Sequence, residues 1–418
     1  MRQVVVTGLG FISSIGNNRA EVLESLRSGR SGIEIHPELD RPEIPVKLAG
    51  TIKGFEFPNE RPESWILPPS LTISRQRLRS MAPHAVYAVA AMGEAIADSA
   101  LRPEMISHPR TGMMCASVGS TRMLYRHVDK MLRDGVLRCH PFSLAQSIAG
   151  TLNFNLVPTF RIKGASAGFV SACSSSAHAF GAALDQIRLG RQDLMFVVGA
   201  EDCDIFSILP FASCRALTRA TDPSKSPCAF DVKRNGFAAT GGATVLILEE
   251  LEHAEKRGAS VYAEAAGWGQ TSDGYDIMVP EPDGEGLARA MECALEDAGI
   301  GPAEVDYINA HATSTPLGDR AELRAIRKVF GAASPWISST KSQTGHGLSS
   351  AGAMEAAICC LALREGFTPV SLNITELDSE AEGLRIVTES ITHPPSIALS
   401  NSAAFGGANV CIALKRAT

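Results

Sequence analysis

The sequence predicts a compact α/β fold in which one strand–helix plan occurs twice. Over 418 residues, 45% are hydrophobic and 20% charged, enough apolar surface for a large core and for two domains or one domain of two halves. The 37 glycines and 23 prolines show no short period, so they read as turn punctuation between strands and helices. Two passages also rhyme. A helix over 91–101 ends Asp98-Ser99-Ala100-Leu101 and leads to the buried strand 112–116; a helix from about Gly284 ends Asp297-Ala298-Gly299-Ile300 and leads to the strand 305–310. Each passage continues to a small-residue turn that opens an apolar helix, Ser171-Ala172-Cys173-Ser174 in one and Thr344-Gly345-His346-Gly347 in the other. Duplication of one α/β unit follows, with halves 1–255 and 256–418 divided at the charged stretch 252–258. Two such halves would share one site.

From the N-terminus, Val4-Val5-Val6 forms a strand followed by Gly8-Leu9-Gly10, with Ser13 where a dinucleotide fingerprint needs its third glycine. The segment therefore reads as a tight turn. The opening apolar run is too short for a signal segment, and no stretch of about 20 apolar residues follows, so a cytoplasmic protein without membrane insertion is expected. A net charge of −6 argues against nucleic-acid binding, which needs a basic excess to neutralise phosphates. Ten cysteines without a CxxC pair read as reduced, mostly buried thiols and neither a disulfide framework nor a zinc site.

One cysteine stands out. Ala177, Phe180, Leu184 and Ile187 recur at helical spacing after Phe169-Val170-Ser171-Ala172, and a strand from Leu194 follows. Cys173 then sits at a helix N-terminus, where free N–H groups favour a thiolate, and the serines 174–176 leave room for a substrate. The other nine cysteines are expected to be inert and buried.

Two histidines lie in comparable surroundings. His311 follows an apolar strand in Asn309-Ala310-His311-Ala312-Thr313-Ser314-Thr315, where open sheets place their ligands. His346 lies among small residues that let a substrate approach the backbone. His36, His84, His108, His127, His140, His253 and His393 are left as structural, and His178, one helical turn past Cys173, as a supporting residue.

Together these segments are similar to the β-ketoacyl-acyl carrier protein synthases of the type I/II condensing-enzyme family. The likeness covers essentially the whole chain: 4–17, Cys173 within 171–178, Phe230-Asp231 with Arg234 and Gly236-Phe237, the two histidine motifs, and Asn401-Ser402 with Phe405-Gly406-Gly407. It implies a duplicated thiolase-like fold, a five-layered αβαβα sandwich, normally a homodimer. Thiolases themselves are disfavoured, because their second catalytic cysteine would fall in 401–407 and none is there.

By this resemblance Cys173 is the acyl nucleophile and His311 and His346 drive decarboxylative condensation with malonyl-acyl carrier protein. Lys341 orients and charge-balances the site, and Glu322 bonds near that lysine. Backbone N–H groups of Cys173 and Phe405 form the oxyanion hole. Thr313 and Thr315 hold the phosphopantetheine arm brought by acyl carrier protein, and Arg75 and Arg79 dock that acidic carrier. No metal or redox cofactor is implied. Ala403 stands where relatives usually carry a phenylalanine that gates the acyl pocket, so a wider pocket is expected. Ala312, Gln343 and Asn235 also depart from the usual residues and are expected around the substrate. Fatty-acid synthesis is the main expectation. The alternative is a specialised ketosynthase of a type II polyketide, polyene or very-long-chain pathway, paired with a nucleophile-less, chain-length-factor-like partner.

Overall fold

The computed structural model describes residues 1–417 apart from 203, 332, 390 and 393. Cys203 and His393, read above as buried and structural, lie outside the described residues. Eleven strands form one mixed sheet: β1 (Val4–Ile12), β2 (Thr111–Ala116), β3 (Ser166–Phe169), β4 (Leu194–Glu201), β5 (Gly242–Glu250), β6 (Ala263–Ser272), β7 (Tyr307–Asn309), β8 (Trp336–Ser338), β9 (Arg385–Ile386), β10 (Ile397–Ala404) and β11 (Ala408–Arg416). Their order is β9-β8-β7-β10-β11-β6-β1-β5-β4-β2-β3.

Read outward from its middle, the sheet repeats itself. β1 pairs antiparallel with β5, β5 antiparallel with β4, then β4–β2 and β2–β3 are parallel. On the other side β6–β11 and β11–β10 are antiparallel, and β10–β7 and β7–β8 parallel. Among the described residues the two runs pair where Val5 and Val6 of β1 face Glu264 and Ala263 of β6.

Five helices complete the layers: α1 (Pro83–Asp98), α2 (Ser175–Arg188), α3 (Glu285–Ala298), α4 (Pro316–Phe330) and α5 (Ala351–Glu365). Strand side chains alternate between faces, and here both faces are buried. Met195 and Val197 of β4 join a core shared with α2, α5 and Val410 and Ile412 of β11. Phe196 and Val198 of the same strand point the other way, into a core under α1. In the second run Ile308, Leu399 and Cys411 pack under α3 and α4. The result is helix, sheet, paired central helices, sheet, helix: the duplicated αβαβα sandwich.

Several local expectations change. The helix expected over 91–101 begins eight residues earlier, because Pro83 fills its first turn without a lost hydrogen bond. The strand expected over 305–310 shortens to Tyr307–Asn309. Gly8-Leu9-Gly10 is not a turn but lies inside β1, where a Cβ on Gly10 would collide with the Ala91 carbonyl of α1. Glycine is needed there for close approach, not for bending. Cys214 and Cys293 are exposed, so not all the remaining thiols are buried. Among the described residues no helix is long and apolar enough to cross a membrane.

Candidate active site

The chain makes a hook just before α2. Ala172 adopts a left-handed backbone, φ 48°, and the Ser175 hydroxyl accepts from the Ser171 N–H at 2.8 Å and donates to the Ala172 carbonyl at 2.6 Å. Ser174 ties the hook to the C-terminal half, its hydroxyl donating to the Ala408 carbonyl at 2.7 Å. Cys173 is thereby lifted from the chain at the mouth of the central helix layer. His178, one turn into α2, places its Nδ1 2.8 Å from the Ser171 hydroxyl and supports the hook.

The two histidines arrive from the other half. His346 is pinned by its backbone, its N–H donating to the Ala238 carbonyl at 2.8 Å and its carbonyl accepting from Thr240 N–H at 3.0 Å. Phe237 packs edge-on against its ring, centroids 5.0 Å apart. Its Nε2 lies 3.0 Å from Cys173 Sγ. His311 follows β7 by two residues, and its ring meets that of His346 at 5.3 Å and 85°. One ligand atom from each of Cys173, His311 and His346 lies within 4.8 Å of the others.

Burial sets the electrostatics. The Cys173 thiol is pushed up to about 12, chiefly by desolvation, with Lys341 pulling it down. The helix start is thus one influence among several on Cys173: α2 begins two residues later, and burial acts on the thiol in the opposite direction. The ring atom in contact with this thiol is His346 Nε2. Both histidines are held well below their ordinary value, first by burial and then by Lys341. Each is a neutral ring with one N–H to give and one lone pair to receive a proton.

Lys341 is buried, not solvated, and forms an ion pair with Glu355 of α5. Burial raises the Glu355 carboxyl to about 7 while Lys341 lowers it. The sequence reading missed Glu355, although a lone acid within the buried helix 351–363 signals a buried partner. The positive charge of Lys341 acts on the thiol and both rings and so disfavours a divalent cation among the three donors.

Glu322, read above as bonding near Lys341, acts on the backbone around His311. Its carboxylate accepts the backbone N–H groups of His311 at 2.9 Å and Ala312 at 2.6 Å, and Asn401 Nδ2 at 3.1 Å. Among the described residues it makes no hydrogen bond to Lys341, which acts on it through its field alone. Glu322 therefore fixes the turn that aims His311. Asn401, named above only as part of a motif, is its second anchor.

A cavity of about 280 Å³ opens over the three reactive groups. Thr313, Thr315, Ala403 and Phe405 line it. The two threonine hydroxyls are 3.1 Å apart, and the Phe405 ring lies 6.1 Å from that of Phe211. Ala312 also reaches the cavity, whereas Gln343 and Asn235 do not. Gln343 is buried, donating to the Val370 carbonyl at 3.2 Å, and Asn235 accepts from Thr218 at 2.6 Å. These two departures act on the frame and not on the substrate. Arg75 and Arg79 stand exposed, away from the cavity wall, in and just after the short helix Arg75–Leu78.

Comparison with known proteins agrees with this geometry. The family described as β-ketoacyl synthase, N-terminal domain, matches residues 1–254, and that described as β-ketoacyl synthase, C-terminal domain, matches residues 262–375. The 3-oxoacyl-(acyl-carrier-protein) synthase 1 of Haemophilus influenzae is 42% identical, covering 100% of this chain and 99% of its own. A β-ketoacyl synthase crystal structure from Burkholderia phymatum STM815 superposes with a TM-score of 0.90 at 34% identity, covering 100% of both chains. The ishigamide ketosynthase/chain length factor does so at 0.88 and 30%, again with 100% of both chains covered. A thiol, two neutral imidazoles and a buried lysine converging on one cavity, in a chain matched end to end by these relatives, place it in the β-ketoacyl synthase family.

Proposed function

We propose that this chain is a β-ketoacyl-acyl carrier protein synthase that carries out decarboxylative Claisen condensation in fatty-acid synthesis. The observation that carries the reading is the 3.0 Å contact of Cys173 Sγ with His346 Nε2, with His311 in reach in the same cavity. His346 takes the thiol proton, and the thiolate attacks the thioester carbonyl of an acyl chain delivered on the phosphopantetheine arm. The carbon–sulfur bond to the arm breaks, the arm leaves as a thiol, and the acyl group stays on Cys173. Backbone N–H groups of Cys173 and Phe405 hold the tetrahedral oxyanion.

A malonyl extender then enters on a second carrier. Its bond to the carboxylate breaks, carbon dioxide leaves, and the electron pair collects as an enolate whose oxygen receives the N–H groups of His311 and His346. The enolate carbon bonds to the acyl carbon, and Cys173 departs as thiolate and recovers its proton. Lys341, held by Glu355, keeps both imidazoles neutral and therefore able to act as donors and acceptors. The phosphopantetheine arm runs past Thr313 and Thr315, and Arg75 and Arg79 meet the acidic carrier. The chain works without a resident metal or redox cofactor, in the cytoplasm, as a homodimer of subunits divided into halves 1–255 and 256–418.

The small side chain of Ala403 on the cavity wall and the likeness to a ketosynthase/chain length factor favour a second pathway for the same chemistry. There the chain acts in a type II polyketide, polyene or very-long-chain pathway beside a chain-length-factor-like partner. Intact-mass spectrometry separates the readings. Wild type incubated with a panel of acyl carrier protein thioesters should gain an acyl adduct that malonyl carrier protein clears with release of carbon dioxide, while Cys173→Ala gains none. The best-loaded chain names the pathway. An unmodified Cys173 across the panel, with and without a partner subunit, would overturn the reaction.

A further inference from the structure

We propose that the reaction cavity has a recess beside Ala403 that accepts a small hydrocarbon branch on the α-carbon of the extender thioester, an inference that rests on the condensing reading above. Side-chain alternation along β10 gives the direction. Asn401 faces the outer helices, its Nδ2 lying 3.1 Å from Glu322 of α4 and 3.5 Å from Met291 Sδ of α3. Ser402 faces the central helices, against Gly352 of α5. Ala403, two residues beyond Asn401, returns to the outer side.

The cavity follows that direction. Beyond Cys173 and the histidines its wall reaches Gly284 and Leu287 at the start of α3 and Ala321 of α4. Leu287 and Ala321 are only 4% and 5% exposed, so this is an inlet between helices and not open surface. Gly284 is left-handed, φ 68°, and so near the Ala321 carbonyl that a Cβ would collide with it, so the two helices touch at that point and floor the recess. Ala403, Leu287 and Ala321 give methyl and isobutyl walls, and the polar pair beside them is engaged internally, Asn409 Nδ2 donating to Asp273 Oδ1 at 2.6 Å and Glu281 N–H to Asp273 Oδ2 at 3.2 Å. The nearby Glu322 oxygens are occupied by the N–H groups of His311, Ala312 and Asn401, so the recess suits hydrocarbon and not a polar group.

His311 and Ala312, where the enolate would form, line the same cavity, as do Thr313 and Thr315, the residues proposed to hold the arm. What enters is therefore borne by the carbon next to that thioester carbonyl. With a methylmalonyl unit the bond from the α-carbon to the carboxylate breaks, carbon dioxide leaves, and the same electron pair forms the bond to the acyl carbon as Cys173 departs. The product carries the methyl between its two carbonyl groups.

The test is competition between malonyl and methylmalonyl carrier protein thioesters, read as the ratio of condensation rates within each enzyme. Taking the ratio removes the effect of how much of a variant is folded. Wild type should use both. Ala403→Phe fills the recess from the strand, Leu287→Phe fills it from the helix, and Ala403→Val is a milder step. Each should lower the methylmalonyl-to-malonyl ratio, the larger ones by about tenfold or more, as one carbon in a shaped pocket commonly does. Refusal of methylmalonyl by a wild type that uses malonyl would sink the recess alone. So would an unchanged ratio in the variants, or a loss confined to loading an α-branched primer onto Cys173. Failure of wild type to condense malonyl at all would sink the condensing reading, and the recess with it.

Discussion

The two halves of the molecule share a frame and divide the chemistry. Gly8-Leu9-Gly10 on β1 and Gly267-Trp268-Gly269 on β6 are the same device: a Cβ on Gly10 would meet the Ala91 carbonyl and Ala95 N–H of α1, and one on Gly269 the Ala290 carbonyl and Ala294 N–H of α3. The residue between each pair of glycines donates its N–H to an aspartate at the helix end, Leu9 to Asp98 at 2.9 Å and Trp268 to Asp297 at 3.0 Å. Even the hooks agree. Ala172 before α2 and Leu348 before α5 are both left-handed, φ 48° and 50°, each three residues before its helix. The residue after the hook is Cys173 in one half and Ser349 in the other. Cys173 faces His346, whereas the Ser349 hydroxyl donates to the buried carboxyl of Glu201. The frame is duplicated because both runs of the sheet solve the same packing problem; the loops at the strand ends are free to differ, and there the halves specialise.

The largest effects should come from breaking the asymmetry between the histidines. His346→Ala removes the group in contact with the thiol and should slow acyl-adduct formation by about 10²- to 10⁴-fold, measured by time-resolved intact mass. His311→Ala should affect adduct formation less and carbon dioxide release more. Equal losses in both steps for both variants would show that the rings are not divided between the tasks.

Next is the ion pair that one central helix carries and the other lacks. Glu355→Ala leaves Lys341 buried and uncompensated, which should cost about 3–5 kcal/mol of stability, visible as a lowered urea midpoint. At the corresponding place in α2 stands Ala179, buried without a charge nearby on its own helix. The paired glycines come third. Gly10→Ala and Gly269→Ala should each destabilise by about 1–3 kcal/mol through overpacking against a helix backbone, and by similar amounts. Unequal costs would mean that the two helix–sheet contacts differ in tightness.

The last effect, a slope with pH and not a single loss, concerns Glu201, the partner of Ser349. Burial pushes its carboxyl up to about 8, against the lowering by the Ser349 hydroxyl and Val118 N–H. A carboxyl raised in the folded state stabilises fully below its unfolded value near 4.5, and that stability is lost as pH rises toward 8. The slope is at most about 1.4 kcal/mol per pH unit. Glu201→Gln keeps an acceptor for both donors and should flatten the fall in stability between pH 5 and 8, followed by urea denaturation across that range.

Much of this was legible in the chain. The rhyme of Asp98 with Asp297, the small-residue turns before two apolar helices, and the surroundings of Cys173, His311 and His346 all lie in short stretches whose period and composition encode local structure. What was misread depended on partners far away. Gly8 and Gly10 looked like a turn because the strand alone does not reveal the helix, some 80 residues on, that presses against them. Gln343 was expected around the substrate and instead serves the frame, bonded to the Val370 carbonyl and away from the cavity wall.

By itself the sequence determined the duplicated α/β plan and singled out Cys173, His311 and His346, because alternating and helical periodicity and small-residue turns act over a few residues. Tertiary structure alone decided that His346 comes within 3.0 Å of Cys173, that burial pushes the thiol up, that Lys341 pairs with Glu355, and that the cavity wall includes Ala403. Each of these depends on burial and on charges brought together across more than a hundred residues or between packed elements, and no local pattern carries that information.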